Sequence, residues 1–531
     1  MEYAMAVGAV TIPGSSPALT VTTGTGDILN LAAQISALLT TTQQTNNNLS
    51  VTFDSVGGSL PLAPTVSSPT VTDLVLSVPG SVNAIIPSGF KYVQDVGSSP
   101  DTLSGTNVAM VTGTVGGVYF AHGNSTVAVE SGNSTVSATD NYLISLAPGN
   151  DVVFASGSGT VATHVGSSTI VATIGNNVIL SNGTGDAIFA TNGSATVNVS
   201  GDATSIAGGS AFLQVSLAGA NDVVGVGNGN TSIITAGSQA IVYGGSVNGQ
   251  GLNIVNSGAG TTISTAASNA NVISSGSNAA LREGSGLTLL AISGSNNTVF
   301  GSTGASTISA VGTNGVLVFG GSGTLNFIGG AGASQILGAP GGHQQATVGT
   351  GGLTLSANGA DSATITSGAG TAVVYGSDQS YAYFKGNQTG VTFLAGAGNE
   401  TLDAAGSSTN NYLIANTLGG SADIIGGTGA DVMFAGNGSA TMTGGGGRDS
   451  FAFFAQNTSI PGGARHDYIT DFTAADSLYI LGYDSTKTAS DLQNGATVSS
   501  FGVTLKLSDN TLITFSNLTS ASSLDGHILY T

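Results

Sequence analysis

The chain has 531 residues, of which 40% are hydrophobic and only 6% charged, with 83 glycines, 11 prolines and neither cysteine nor tryptophan. That apolar fraction excludes a chain kept disordered by charge repulsion, and the few prolines exclude a collagen lattice; without cysteine, the fold must rest on packing, backbone ladders or metal. A net charge of -20, from 27 acidic against 7 basic residues, repels nucleic acid and anionic membrane surfaces and makes cations the expected partners.

Residues 1 to about 120 hold most of the prolines and show no regular repeat. No stretch reaches the roughly 20 continuous apolar residues of a membrane span, and Met1 to Ser15 lacks the basic start of a cleavable secretion signal. One helical pattern occurs, with Asp27 as cap and Ile28, Leu31, Ala32, Ile35, Leu38 and Leu39 on one face. The expected role of this segment is to cap the downstream repeats or to serve as an adhesion or assembly region.

From about Ala121 to Phe454 the chain repeats every nine residues. Stepping by nine from Val161 meets Ile170, Ile179, Ile188, Val197, Ile206, Val215, Val224, Ile233 and Val242. A three-residue insertion around Ser246 to Gly251 resets the phase, and Ile254, Ile263, Val272, Leu281, Leu290, Val299, Ile308 and Leu317 continue it. Turn residues separate these positions, so each unit reads as a Gly, Asn and Ser turn followed by a short β-branched strand. One such unit buries nothing alone. Two make an eighteen-residue coil, which predicts an all-β fold: a long parallel β-solenoid of about 18 coils, roughly 90 Å long at ~4.8 Å per coil.

The chemistry-bearing motif lies near the end of the repeats. Gly426-Gly427-Thr428-Gly429-Ala430-Asp431-Val432-Met433-Phe434 fits the nonapeptide G-G-x-G-x-D-x-U-x, where U is a large apolar residue, and Gly444-Gly445-Gly446-Gly447-Arg448-Asp449-Ser450-Phe451-Ala452 fits it again. Asp431 and Asp449 are 18 residues apart, which places them one above the other in a two-unit coil. Glycine turns supply converging carbonyls and the two carboxylates supply charge, an all-oxygen set suited to Ca²⁺. Glu400 and Asp423 are further candidate ligands. Between the two motifs, Ala440 stands where an aspartate would be. Farther upstream only Asp186, Asp222 and, slightly out of phase, Asp151 occupy the ligand position, so one to three calcium ions are expected.

From Ala455 to Thr531 aromatics rise, and four of the seven basic residues, Arg448, Arg465, Lys487 and Lys506, lie at or beyond this boundary. Here Asp449-Ser450-Phe451-Ala452-Phe453, His466-Asp467-Tyr468-Ile469-Thr470-Asp471-Phe472 and Asp476-Ser477-Leu478-Tyr479-Ile480-Leu481 follow one another. With the nonapeptides and the closing segments Asn510 to Phe515 and Ile528 to Tyr530, this series resembles the RTX, or haemolysin-type calcium-binding, proteins over about Leu394 to Thr531. The resemblance implies a parallel β-roll whose end near 394–454 binds calcium. It also implies a C-terminal β unit at 455–531 carrying an uncleaved signal for a type I secretion apparatus.

Enzymatic motifs are missing. The five histidines, His122, His164, His343, His466 and His527, form no H-E-x-x-H, there is no G-x-S-x-G, and His466 beside Asp467 on a strand would point to the opposite face. A polysaccharide lyase or epimerase on a β-helix is the enzymatic alternative, but Arg282 and Lys385 are the only basic residues between Lys91 and Arg448. The sequence therefore leads to a secreted, non-catalytic calcium-binding solenoid of a bacterial cell surface or matrix. Its expected partners are surface or matrix polysaccharide or other copies of itself; a filament-forming surface protein is the other alternative. No membrane insertion is expected.

Overall fold

The computed structural model describes residues 8–11, 20–23, 50–53, 74–78, 83–86, 90–95, 99–112, 115–247, 249–359, 362–376, 381–385, 389–415, 419–455, 465–484 and 486–530. The described residues are all-β apart from short helical turns, and the chain divides into two compact units, Met1–Thr261 and Thr262–Thr531. Apart from the separate antiparallel pair Gly8–Thr11 with Thr20–Thr23, the described strands of each unit wind chiefly as a parallel β-solenoid. The helix expected from Asp27 to Leu39 lies outside the described residues.

In the first unit a strand pairs with the next but one in sequence, so two strands complete a turn and two sheets rise together. Ile170, Ile188, Ile206, Val224 and Val242 lie side by side in one sheet, and Val161, Ile179, Val197, Val215 and Ile233 in the other. All ten are buried. Strand alternation sets this pattern: Leu213–Leu217 buries Leu213, Val215 and Leu217 and turns Gln214 and Ser216 away. The insertion is accommodated within one turn, since Ile233 pairs with Ile254, 21 residues on.

The turn length is not constant. Val136, Val153 and Ile170 are neighbours at steps of 17, and Leu103 and Tyr119 at a step of 16. Parallel winding is therefore already present upstream of Ala121, in Leu74–Val78, Phe90–Asp95, Asp101–Thr106 and Gly117–His122. A fixed step of nine cannot detect it, because each shorter turn moves the core position out of phase.

In the second unit Ile263, Leu281 and Val299 keep the 18-residue step, and then Val299 pairs with Val318, 19 residues on. The nine-residue step puts Leu317 in the core; the extra residue in the turn at 312–315 corrects this. Val318 is 1% exposed, and Leu317 stands half-buried on the outer side. Turns of 18 to 20 residues follow to Phe451 along this sheet.

The C-terminal strands join the same two sheets. Met442 pairs with Ile469 and Ile469 with Phe515, while Phe451 pairs with Leu478 and Leu478 with Ile528. The longer excursions enlarge the cross-section, which is filled by Phe451, Phe472 and Phe515, with ring centroids 6.0 and 5.1 Å apart in succession. An antiparallel hairpin, Gly502–Lys506 with Leu512–Phe515, and helix Ala489–Asn494, whose Thr488 and Asp491 form a capping box, complete this end. The hairpin thus closes one sheet by antiparallel pairing, while the other ends in the three-residue strand Ile528–Tyr530.

Candidate metal centre

The nonapeptide aspartates sit at an inner corner of the second unit, immediately before a strand. Val432 pairs with Ser450, so Asp431 and Asp449 are one turn apart in the same column, 0% and 2% exposed. Their carboxylates reach back along the solenoid. Asp449 Oδ1 accepts the Asp431 N–H at 2.9 Å, and Asp431 Oδ1 accepts both the N–H and the side-chain amide of Asn411 at 2.7 and 2.8 Å. Asn411 Oδ1 accepts the Val391 N–H at 3.1 Å, and Asp476 Oδ1 accepts the Asp449 N–H at 2.9 Å. Asn411, Asp431, Asp449 and Asp476 thus form one column in which every side chain satisfies the backbone of the turn before it.

The glycines make room for this inward reach. Asp431 Oδ2 accepts the Gly427 N–H at 2.6 Å, and a Cβ on Gly426 would lie 2.5 Å from that oxygen. Gly444 has the same relation to Asp449 Oδ2, and Gly447 adopts φ +116, a backbone conformation that side-chain-bearing residues rarely adopt. Asp471 closes the corner by accepting the N–H groups of Gly444 and Gly445, both at 2.7 Å.

Negative charge accumulates here. Burial raises the Asp431 carboxyl despite the donors on it. Burial pushes Asp449 up to about 7; the Asp431 N–H opposes this, and the charges of Asp431, Asp476 and Asp471 add to it. The one ion pair among the described residues, Arg465 with Asp467 at 2.7 Å, belongs to the opposite corner. There Asp467 Oδ1 accepts the Ala440 N–H at 2.8 Å, and Arg465 also donates to the Gly436 carbonyl. The turn lacking its own aspartate is thus served by a later one, held by a guanidinium.

The remaining candidates are dispersed. Glu400 is 3% exposed, accepts the Gly396 N–H at 3.0 Å and pairs in register with Ala422, away from the Asp431 column. Asp423 is exposed on a sheet face beside Thr401 and Thr441. His466 stacks on Tyr468 and contacts Thr514, whereas Asp467 points inward, so the two form no dyad. Among the described residues no three acidic, histidine or cysteine side chains converge as a ready metal cage. A cation here would draw on Asp431, Asp449 and turn carbonyls. The oxygen-only donors and surplus negative charge fit a hard ion of that kind.

Sequence reasoning did not single out Asp471 and Asp476 as neighbours of the site. The available signal was the pattern aspartate, any residue, large apolar: Asp476-Ser477-Leu478 repeats Asp431-Val432-Met433 and Asp449-Ser450-Phe451. The first unit uses the same device. Ser134, Asp151, Ser168, Asp186, Thr204 and Asp222 occupy one buried column, and the N–H groups of Ser134, Ser168 and Thr204 donate to Asp151, Asp186 and Asp222 at 2.7, 2.8 and 2.9 Å.

Comparison with family models, curated proteins and solved structures finds no match.

Proposed function

We propose that this chain is a secreted, non-catalytic β-solenoid that binds calcium at the Asp431–Asp449 corner and serves as a structural or adhesive component of a bacterial surface or matrix. The observation that carries the reading is the stacking of Asp431, Asp449 and Asp476 on successive turns with Asp471 beside them. Such a corner concentrates carboxylates where burial and mutual repulsion already disfavour their charge. A divalent ion held by Asp431, Asp449 and glycine-turn carbonyls would relieve that repulsion and join adjacent turns. Arg465 gives the opposite corner a cation of its own, which accounts for a metal requirement on one side only.

The export part of the reading rests on the resemblance of the C-terminal segment to type I-secreted RTX proteins. At low calcium the acidic corner would stay loose. At extracellular calcium, an ion present at 100 times its dissociation constant would add about 2.7 kcal/mol to the folded state. Calorimetric titration of the full chain with CaCl₂ is expected to show one to three sites, and Asp431→Ala with Asp449→Ala should remove at least one. An unchanged isotherm in the double variant would refute the assignment.

A further inference from the structure

The change of turn length in the second unit has a consequence on its outer surface. In the inner-corner turns, left-handed residues donate their N–H to a carbonyl one turn on: Asn221 to Ser238 at 2.9 Å in the first unit, Asn278 to Ser295 at 2.9 Å in the second. The series ends at Asn278. Asn296 is also left-handed, at φ 56, but the following turn carries the additional residue at 312–315 and swings away. A cleft of ≈ 420 Å³ opens there, across three successive turns.

Its lining is uncharged. Asn296, Asn314 and Gln335 present side-chain amides, Thr298 a hydroxyl, and Leu317, displaced from the core by the same register change, an apolar floor. The Asn296 and Gln335 amides have no partner within the chain among the described residues, so each offers donors and an acceptor outward. Thr298 pairs with Leu317 and Leu317 with Gln335, which sets polar, apolar and polar side chains in line along the solenoid axis. Two residues farther along the same strands Phe300, Phe319 and Leu337 form a parallel wall. The two rings stack at 5.3 Å, and Arg282 covers the free face of Phe300 at 4.8 Å.

We infer that this cleft binds a short stretch of a neutral polysaccharide. The volume lies within the roughly 300–1,000 Å³ of small-ligand sites. Neutral amides and a hydroxyl around an aliphatic floor match a ligand with hydroxyls at its edges and C–H groups on its faces. No lining side chain could balance the charge of a uronate or phosphate. A peptide would find no strand edge to extend, because the strands Asn297–Phe300 and Val316–Phe319 are paired with each other and the latter also with Ser334–Leu337. The inference supplies the partner for the adhesive reading and so rests on it, but it uses none of the calcium residues.

The test titrates the full chain, in calcium, with maltohexaose, cellohexaose and laminarihexaose. Hexagalacturonate serves as the anionic control and the hexapeptide Gly-Ala-Gly-Ala-Gly-Ala as the peptide control. At least one neutral hexasaccharide should bind, and Asn314→Ala and Gln335→Ala should each weaken it about tenfold, the effect of one hydrogen-bonding side chain. Gln345→Ala, on the other sheet, should leave affinity and melting temperature unchanged. The inference is overturned if none of the three sugars binds, if both cleft variants bind as tightly as the parent, or if the uronate or the peptide binds better. Calcium titration of the same samples separates the two readings. Sugar binding lost with calcium binding intact overturns only the cleft, and the reverse outcome overturns only the metal centre.

Discussion

Two columns of turn residues perform the same backbone task with different charge. In the first unit, Ser134, Asp151, Ser168, Asp186, Thr204 and Asp222 alternate hydroxyl and carboxylate, so buried charges stand two turns apart, about 10 Å at the spacing of neighbouring strands. In the second, Asp431, Asp449 and Asp476 follow on consecutive turns at half that spacing. Both columns accept the N–H of the preceding turn. Only the second sets carboxylates on consecutive turns, and the proposed calcium site is placed there for that reason.

Calcium should separate the columns most sharply. Adding CaCl₂ is expected to raise the melting temperature of the chain, by an effect of about 3 kcal/mol near saturation. Asp431→Ala with Asp449→Ala should abolish most of the gain, whereas Asp151→Asn with Asp222→Asn should retain it in full. Calorimetric melting with calcium or chelator provides the measurement; a gain lost from the first-unit variant instead would reverse the comparison.

Asp186 tests the shared task without metal. Its Oδ1 accepts the Ser168 N–H, and its Oδ2 accepts the hydroxyls of Thr163 and Ser181, both at 2.7 Å. Asp186→Ala strands a buried N–H and two hydroxyls and should destabilise the first unit by about 3 kcal/mol, whether or not calcium is present. Denaturation followed by circular dichroism would detect this. A calcium-dependent loss would mean that Asp186 is a ligand after all.

The winding was legible in sequence wherever its turn length stayed at 18 residues. From Val161 to Ile308 the spaced Val, Ile and Leu positions are those buried, and even the three-residue insertion could be read from the reset phase. Where turns shorten to 17 or lengthen to 19, a fixed step fails, which hid the upstream turns and misplaced Leu317. The same drift made Asp151 look out of phase. It lies 35 residues before Asp186, one short of two regular turns, yet the structure puts both in one column. At the acidic corner the glycine motif revealed Asp431 and Asp449. Asp476 joins across a 27-residue excursion and Asn411 carries an amide, so no spacing rule based on aspartate could gather all four.

Asp222 and Asp151 provide the finest distinction. Each uses Oδ1 on a backbone N–H, while Oδ2 is buried with no hydrogen-bond partner among the described residues; Asp186 has both oxygens engaged. Burial, against the pull of that N–H, pushes each carboxyl up to about 6, with Asp202 adding to the rise at Asp222. A carboxyl raised in the folded state favours folding while protonated. Its contribution is complete below the ordinary carboxylate range near pH 4 and is lost as pH rises through about 6. Asp222→Asn keeps the acceptor for Thr204 and removes the charge. It should stabilise the first unit by roughly 2 kcal/mol at pH 8 and by almost nothing at pH 4. Melting temperatures of the variant and parent across pH 4 to 8, in chelator, give the result. A difference independent of pH would mean that the free oxygen is already satisfied by water, and the two columns would then differ in spacing alone.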